Sequence, residues 1–218
     1  MMKSVLRLIC AVLALALCLC AFASCGEEAE VKDWCSYLET RDVSGRDISY
    51  AKITVAEYGD IIVLLDATTA PTTVENFKKL VNKGFYDGLT FHRVIENFMI
   101  QGGCPNGDGT GDAGKKIYGE FDENGHKNDI KHIEGVISMA RGDSKNSASC
   151  QFFICNADYP SLDGKYAAFG YVVEGMSVVH KITKKTAKYG DSNGGIKEKH
   201  RQAIITSITL LDNYTPKA

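Results

Sequence analysis

From Tyr50 onward the chain is cut by glycines and polar turns into β-like segments that are short and numerous, a pattern that forces a many-stranded sheet. Ala51-Lys52-Ile53-Thr54-Val55 alternates, Tyr58-Gly59-Asp60 turns, and Ile61–Leu65 follows as a buried strand, so this stretch reads as a hairpin. Further β-like segments fall at 89–95, 97–102, 133–139, 151–156 and 166–173, and a final alternating strand covers Ala203–Leu211. Only two stretches carry helical character. In the first, Val74, Phe77, Leu80 and Val81 share one face; a Thr before the run and a Glu in the first turn read as its start, and Lys83-Gly84 closes it. The second spans about 175–182. Many strands with non-local pairing and two helices imply a closed β-barrel capped by helices. No repeat or low-complexity tract interrupts the pattern.

Ahead of that body stands an address. Lys3 and Arg7 give a positive start, and no charge occurs from Leu8 to Ser24. The run Leu8–Leu17 is apolar without amphipathic periodicity, as in an export signal. A spanning helix needs at least ~17 apolar residues, so a membrane span is the rival reading, but the small residues that close the run favour cleavage. Ala21-Phe22-Ala23 fits ordinary signal peptidase. Phe22-Ala23-Ser24-Cys25 resembles a bacterial lipobox, which makes Cys25 the acylated first residue. The chain thus divides into a signal peptide (1–24), a lipidated cysteine and polar linker (25–49), a folded domain (50–213) and a tail (214–218). The expected place is the outer face of the cytoplasmic membrane, reached through the lipid anchor alone.

The formal charge of −2 argues against a nucleic-acid partner, which needs a concentrated basic surface. Four cysteines lie beyond the junction: Cys35, Cys104, Cys150 and Cys155. No zinc-type C-x-x-C pair exists among them, and export makes disulfides permissible.

Chemistry concentrates in three runs. The first is Phe91-His92-Arg93-Val94-Ile95 with Phe98-Met99-Ile100-Gln101-Gly102-Gly103. The second is Ser138-Met139-Ala140-Arg141 with Ser149-Cys150-Gln151-Phe152-Phe153-Ile154. The third is Leu162-Asp163-Gly164-Lys165-Tyr166 with Phe169-Gly170. In order and spacing these runs resemble the cyclophilins, particularly the compact bacterial type, over about residues 50–211. The resemblance implies an eight-stranded antiparallel closed β-barrel with two capping α-helices. It also implies peptidyl-prolyl cis/trans isomerase activity on proline-containing polypeptides, by a monomer that needs no cofactor and no metal. Carried over by motif, Arg93 is the catalytic residue. The substrate contacts fall on His92, Phe98, Met99, Gln101, Ala140, Arg141, Gln151, Phe153, Leu162 and Tyr166. Cys104 and Cys150 flank the motif glutamines, and a disulfide between them is one arrangement open to the chain. Ser161 stands where many eukaryotic relatives place Trp, which argues against strong cyclosporin binding.

Plainer readings exist for each feature. Taken alone, Arg93 on a strand reads as a surface ion-pair member, and Phe98, Met99 and Phe153 read as core. His126, His132, His180 and His200 lack metal spacing and read as solvated or structural. Gly109–Gly114 matches a bare G-x-G-x-x-G but opens no helix, so Pro105–Gly114 reads as a flexible surface loop. Asn106, Asp108 and Asp112 lack the glutamate that an EF-hand calcium loop requires. Lys181–Lys188 reads as a solvated face. The alternative to an enzyme is a non-catalytic module that docks proline-containing loops at the cell surface. A nutrient-binding lipoprotein fits poorly, because a two-lobed receptor needs a longer chain.

Overall fold

The structure, a computed structural model, describes residues 45–215. The signal, Cys25, Cys35 and most of the linker lie outside the described residues.

Eight strands close into an antiparallel barrel: β1 (Ile48–Val55), β2 (Gly59–Asp66), β3 (Thr90–Ile95), β4 (Met99–Gly102), β5 (Val136–Met139), β6 (Phe152–Cys155), β7 (Ala168–Glu174) and β8 (Ala203–Leu211). Their order around the barrel is β1-β2-β7-β5-β6-β4-β3-β8, and β8 returns to β1. Closure leaves no free sheet edge. In β1 the alternation places Ala51, Ile53 and Val55 inside, with Lys52 and Thr54 outward. β1 opens two residues before Tyr50, and just ahead of it Arg46 pairs with Asp66 at 2.7 Å. Gly170 lies where β7 crosses closest to β2: a Cβ there would stand 1.9 Å from the carbonyl oxygen of Leu64, so only glycine fits.

Helix α1 (Pro71–Asn82) buries Val74, Phe77, Leu80 and Val81, the four residues its periodicity singles out. Phe77 seats it in an aromatic cluster with Tyr86, Phe152 and Phe169, at centroid separations of 5.3, 5.7 and 5.4 Å. The expected start differs. The helix begins at Pro71 behind an Ala70 that offers no side-chain cap, and Glu75 lies beyond the first turn. Its cap comes from far along the chain. The buried carboxylate of Glu120 accepts the Thr72 and Thr73 amides at 2.9 and 2.8 Å and the Thr73 hydroxyl at 2.7 Å.

Helix α2 (Met176–Thr186) runs one turn past its sequence boundary. Thr183 and Thr186 are buried there because their hydroxyls bond back to Val179 and Ile182 carbonyls, so two polar residues extend an apolar face. Its lysines are exposed, and Lys181 and Lys185 lie over the Tyr58 ring.

Candidate active site

The site grows from strand register. Arg93 on β3 pairs with Gln101 on β4, Gln101 with Phe153 on β6, and Phe153 with Ser138 on β5. A cation, an amide and an aromatic ring thereby stand in one row across the barrel. Met99 lies two residues before Gln101, on the same face of the same strand. Phe98 sits in the tight β3–β4 turn, whose Asn97 adopts φ 56°. The strands are shorter here than the sequence suggests, because 97–98 and 133–135 are turn and loop.

Nine of the eleven residues singled out by sequence line one hollow. Arg93, Phe98, Met99 and Gln101 form one side, Ala140 and Arg141 the rim after β5, and Phe153, Leu162 and Tyr166 the other side. Gln151 belongs to a neighbouring hollow that shares Gln101, Ala140 and Arg141 and whose walls include the 109–112 loop, Ser147 and Ser149. His92 is the exception. It is 3% exposed, lines neither hollow, and among the described residues finds no hydrogen-bond partner for either ring nitrogen. It sits in the β-bulge between Phe91 and Arg93, and its Nε2 lies 3.6 Å from where a Cβ on Gly109 would stand, behind the loop that walls the neighbouring hollow. Burial holds its pKa below the usual histidine value, so the ring is neutral at pH 7.

The Arg93 guanidinium is half-buried and fixed at two points. Nε donates to the Asn193 carbonyl at 2.8 Å, and Nη1 donates to Gln101 Oε1 at 3.1 Å. Among the described residues no carboxylate forms a salt bridge with it, although Asp191 is near enough to oppose the lowering of its pKa by burial. From Gln101 the polar chain continues. Its amide donates to Gln151 Oε1 at 2.9 Å, and Gln151 Nε2 donates to the carbonyls of Gly109 and Gly111 at 2.8 Å. Arg141 is held differently. Its side chain bonds the carbonyls of Lys165 and Gly142 at 3.0 and 2.9 Å and lies over the Tyr166 ring at 4.7 Å.

Several contributors escaped the sequence. The Gly190–Gly195 turn backs Arg93: Asp191 accepts the Asn193 and Gly195 amides at 2.9 and 3.1 Å, and Val94 donates to the Gly194 carbonyl at 2.9 Å. Gly194 has φ +80°, and a Cβ there would meet Ile95 at 2.3 Å. The Asp-x-Asn-Gly pattern is a turn signal, but nothing local says what the turn supports. Behind Phe153, the His132 ring stacks at 6.0 Å between Asp163 and Ser138, each 3.1 Å from a ring nitrogen. Of the two roles open to His132, this makes it structural. Tyr159 stacks on Phe98 with centroids 4.2 Å apart.

One expectation needs correction, and one open arrangement is resolved. The 105–114 loop has no regular structure but is tied down. Cys104 Sγ accepts the Gly109 and Gly111 amides at 3.2 and 3.3 Å, and Asp108 accepts the Thr110 amide at 2.9 Å. Cys104 and Cys150 are not joined: both are buried thiols, and burial pushes Cys150 up to about 11. Cys104 is taken up by the loop amides instead.

Comparison with known proteins agrees with the fold. The family model described as cyclophilin type peptidyl-prolyl cis-trans isomerase/CLD matches residues 50–209. A peptidyl-prolyl cis-trans isomerase of Synechococcus elongatus is 47% identical over 128 residues, 58% of this chain and 83% of its own length. Peptidyl-prolyl cis-trans isomerase B of Bacillus subtilis is 50% identical over 114 residues, 52% and 76% of the two chains. Among solved structures, a Cryptosporidium parvum cyclophilin-type isomerase superposes with TM-score 0.66 at 27% identity, over 77% of this chain and 99% of the other. The crystal structure of that protein in the presence of the dipeptide Ala-Pro gives 0.65 at 28% identity, over 75% and 99%.

Proposed function

The chain belongs to the cyclophilin-type peptidyl-prolyl cis-trans isomerase family and is such an isomerase, and we propose that it serves exported polypeptides from a lipid anchor on Cys25, with Arg93 as its catalytic group. Rotation about an X–Pro amide faces a barrier of ~18–20 kcal/mol, because the C–N resonance must be lost. As the bond twists, the proline nitrogen pyramidalises and gains a lone pair. A donor aimed at that nitrogen therefore stabilises the twisted amide more than either planar form.

The observation that carries this reading is the fixed guanidinium, without a salt bridge to any described carboxylate, at the rim of a hollow that Phe98, Met99, Phe153 and Leu162 wall. With Nε held by Asn193 and Nη1 by Gln101, Nη2 is left to donate. Phe98, Met99, Phe153 and Leu162 give the pyrrolidine ring an apolar seat, and the groove past Ala140 and Arg141 takes the flanking main chain. A roughly 10⁵-fold acceleration needs about 7 kcal/mol of preference for the twisted state. A charged hydrogen bond together with restricted rotation in a dry seat is of that order. No proton moves and no covalent bond forms.

Proline-limited refolding of a secreted protein tests the activity: wild type should accelerate the slow phase, and Arg93→Ala should leave it near the uncatalysed rate. Equal acceleration by both proteins would remove Arg93 as the catalytic group, and acceleration by neither would favour the proline-loop binding module. The anchor is supported by the Phe22-Ala23-Ser24-Cys25 run and the acidic tether that follows it. Labelled palmitate should enter the full chain and not Cys25→Ser; equal labelling of the two would remove the anchor.

A further inference from the structure

We propose that Tyr159 is a specificity-determining residue, an exposed aromatic shelf that receives the side chain flanking the substrate proline and makes the enzyme favour an aromatic residue there. The inference rests on the isomerase reading of the groove and adds to it a substrate preference.

The two hollows share Gln101, Ala140 and Arg141, and Phe98 lines only the one that holds Arg93. Phe98 is thus a wall of the proline seat that lies outside the hollow taking the rest of the chain. Beyond Phe98 stands Tyr159, its ring 4.2 Å away at an interplanar angle of 34°. Tyr159 is 38% exposed, an unusual state for a ring already stacked on a pocket wall. Phe98 covers part of the ring, and the exposed part is available to a substrate side chain. An aromatic or planar side chain laid on it would extend the stack and withdraw apolar surface from water.

The shelf is also held in place before any substrate arrives. The Tyr159 amide donates to the His132 carbonyl at 2.7 Å, and the Tyr159 carbonyl accepts the Leu162 amide at 3.2 Å. Pro160 then fixes the start of the 3₁₀ turn Pro160–Leu162. The same turn delivers Leu162 to the proline seat, so shelf and seat are parts of one rigid segment. A preorganised surface binds without ordering cost, which is the condition for a weak stack to register as specificity.

The test measures kcat/KM on chromogenic tetrapeptides carrying Phe, Leu, Ala or Asp immediately before or immediately after proline. The readout is the Phe-to-Ala ratio, which a general loss of activity leaves untouched. Wild type should favour Phe about three- to tenfold at one of the two positions, the size of a single aromatic stack. Tyr159→Phe should keep that ratio, whereas Tyr159→Ala and Tyr159→Leu should bring it near one. Leu retains apolar volume and keeps the test alive if the Ala variant fails to fold. The inference is overturned if wild type shows no aromatic preference at either position, or if the preference survives in Tyr159→Leu. Absence of turnover on every peptide would instead overturn the isomerase reading, and the shelf with it.

Discussion

Arg93 does two things that a surface arginine does not: it stays unpaired with any described carboxylate, and it holds one orientation. The second property is supplied by residues that never touch the substrate. Asn193 offers its carbonyl because Asp191 gathers the two amides on either side of Gly194, and Gly194 alone fits beneath Ile95. Gly194→Val should therefore lower kcat/KM at least tenfold while circular dichroism stays native, a loss of roughly 1.4 kcal/mol of transition-state stabilisation. Retained activity in this variant would mean the guanidinium needs no backing.

The buried histidines set a second expectation. Burial lowers the pKa of both His92 and His132, so each folded site disfavours the proton that the unfolded chain accepts near pH 6.5. The unfolded state then binds more protons below that value, and stability falls as the pH falls. The melting temperature should be steady above about pH 7 and decline toward pH 5. His92→Gln should flatten part of that decline, and an unchanged slope would contradict the assignment. Nine of the eleven positions named from the sequence meet in one hollow, but the sequence could not separate buried His92 from Arg93, its neighbour. Alternation on a strand ordinarily decides that, but the β-bulge between Phe91 and Arg93 obscures the alternation locally.

An element can owe its boundary to bonds that its sequence pattern does not announce. All eight strands and both helices are visible as patterns in the chain, because barrel alternation and helical periodicity are local signals. Some ends are visible too, as in β8 and at Lys83 after α1, but others are not. α1 starts where Glu120 reaches it, some fifty residues away in sequence, and α2 continues because buried threonines bond its own backbone. Glu120→Ala should strip three hydrogen bonds from the first turn of α1 and lower stability by about 2 kcal/mol. For a domain of this size that is roughly 4–8 °C in melting temperature, read by calorimetry. A shift under 1 °C would show that solvent or Ala70 caps the helix equally well. The 105–114 loop repeats the lesson: composition says mobile, but Cys104 and Gln151 hold its backbone from below.

At the scale of the molecule, the barrel exists to hold four short strands in register, so that a donor and an apolar seat meet without adjustment. The described domain carries the whole of that apparatus. A binder and a catalyst built on this groove would differ in one respect, namely whether Arg93 stabilises the twisted amide beyond the planar ones. The direct measurement is to record, for wild type and Arg93→Ala on one Ala-Pro peptide, the dissociation constant by titration and the cis/trans exchange rate on the protein by NMR exchange spectroscopy. The account predicts a dissociation constant changed by less than about fivefold and an exchange rate lowered by at least about a hundredfold, equivalent to roughly 2.7 kcal/mol lost from the twisted state alone. Parallel loss of affinity and rate, or an unaltered rate, would contradict it.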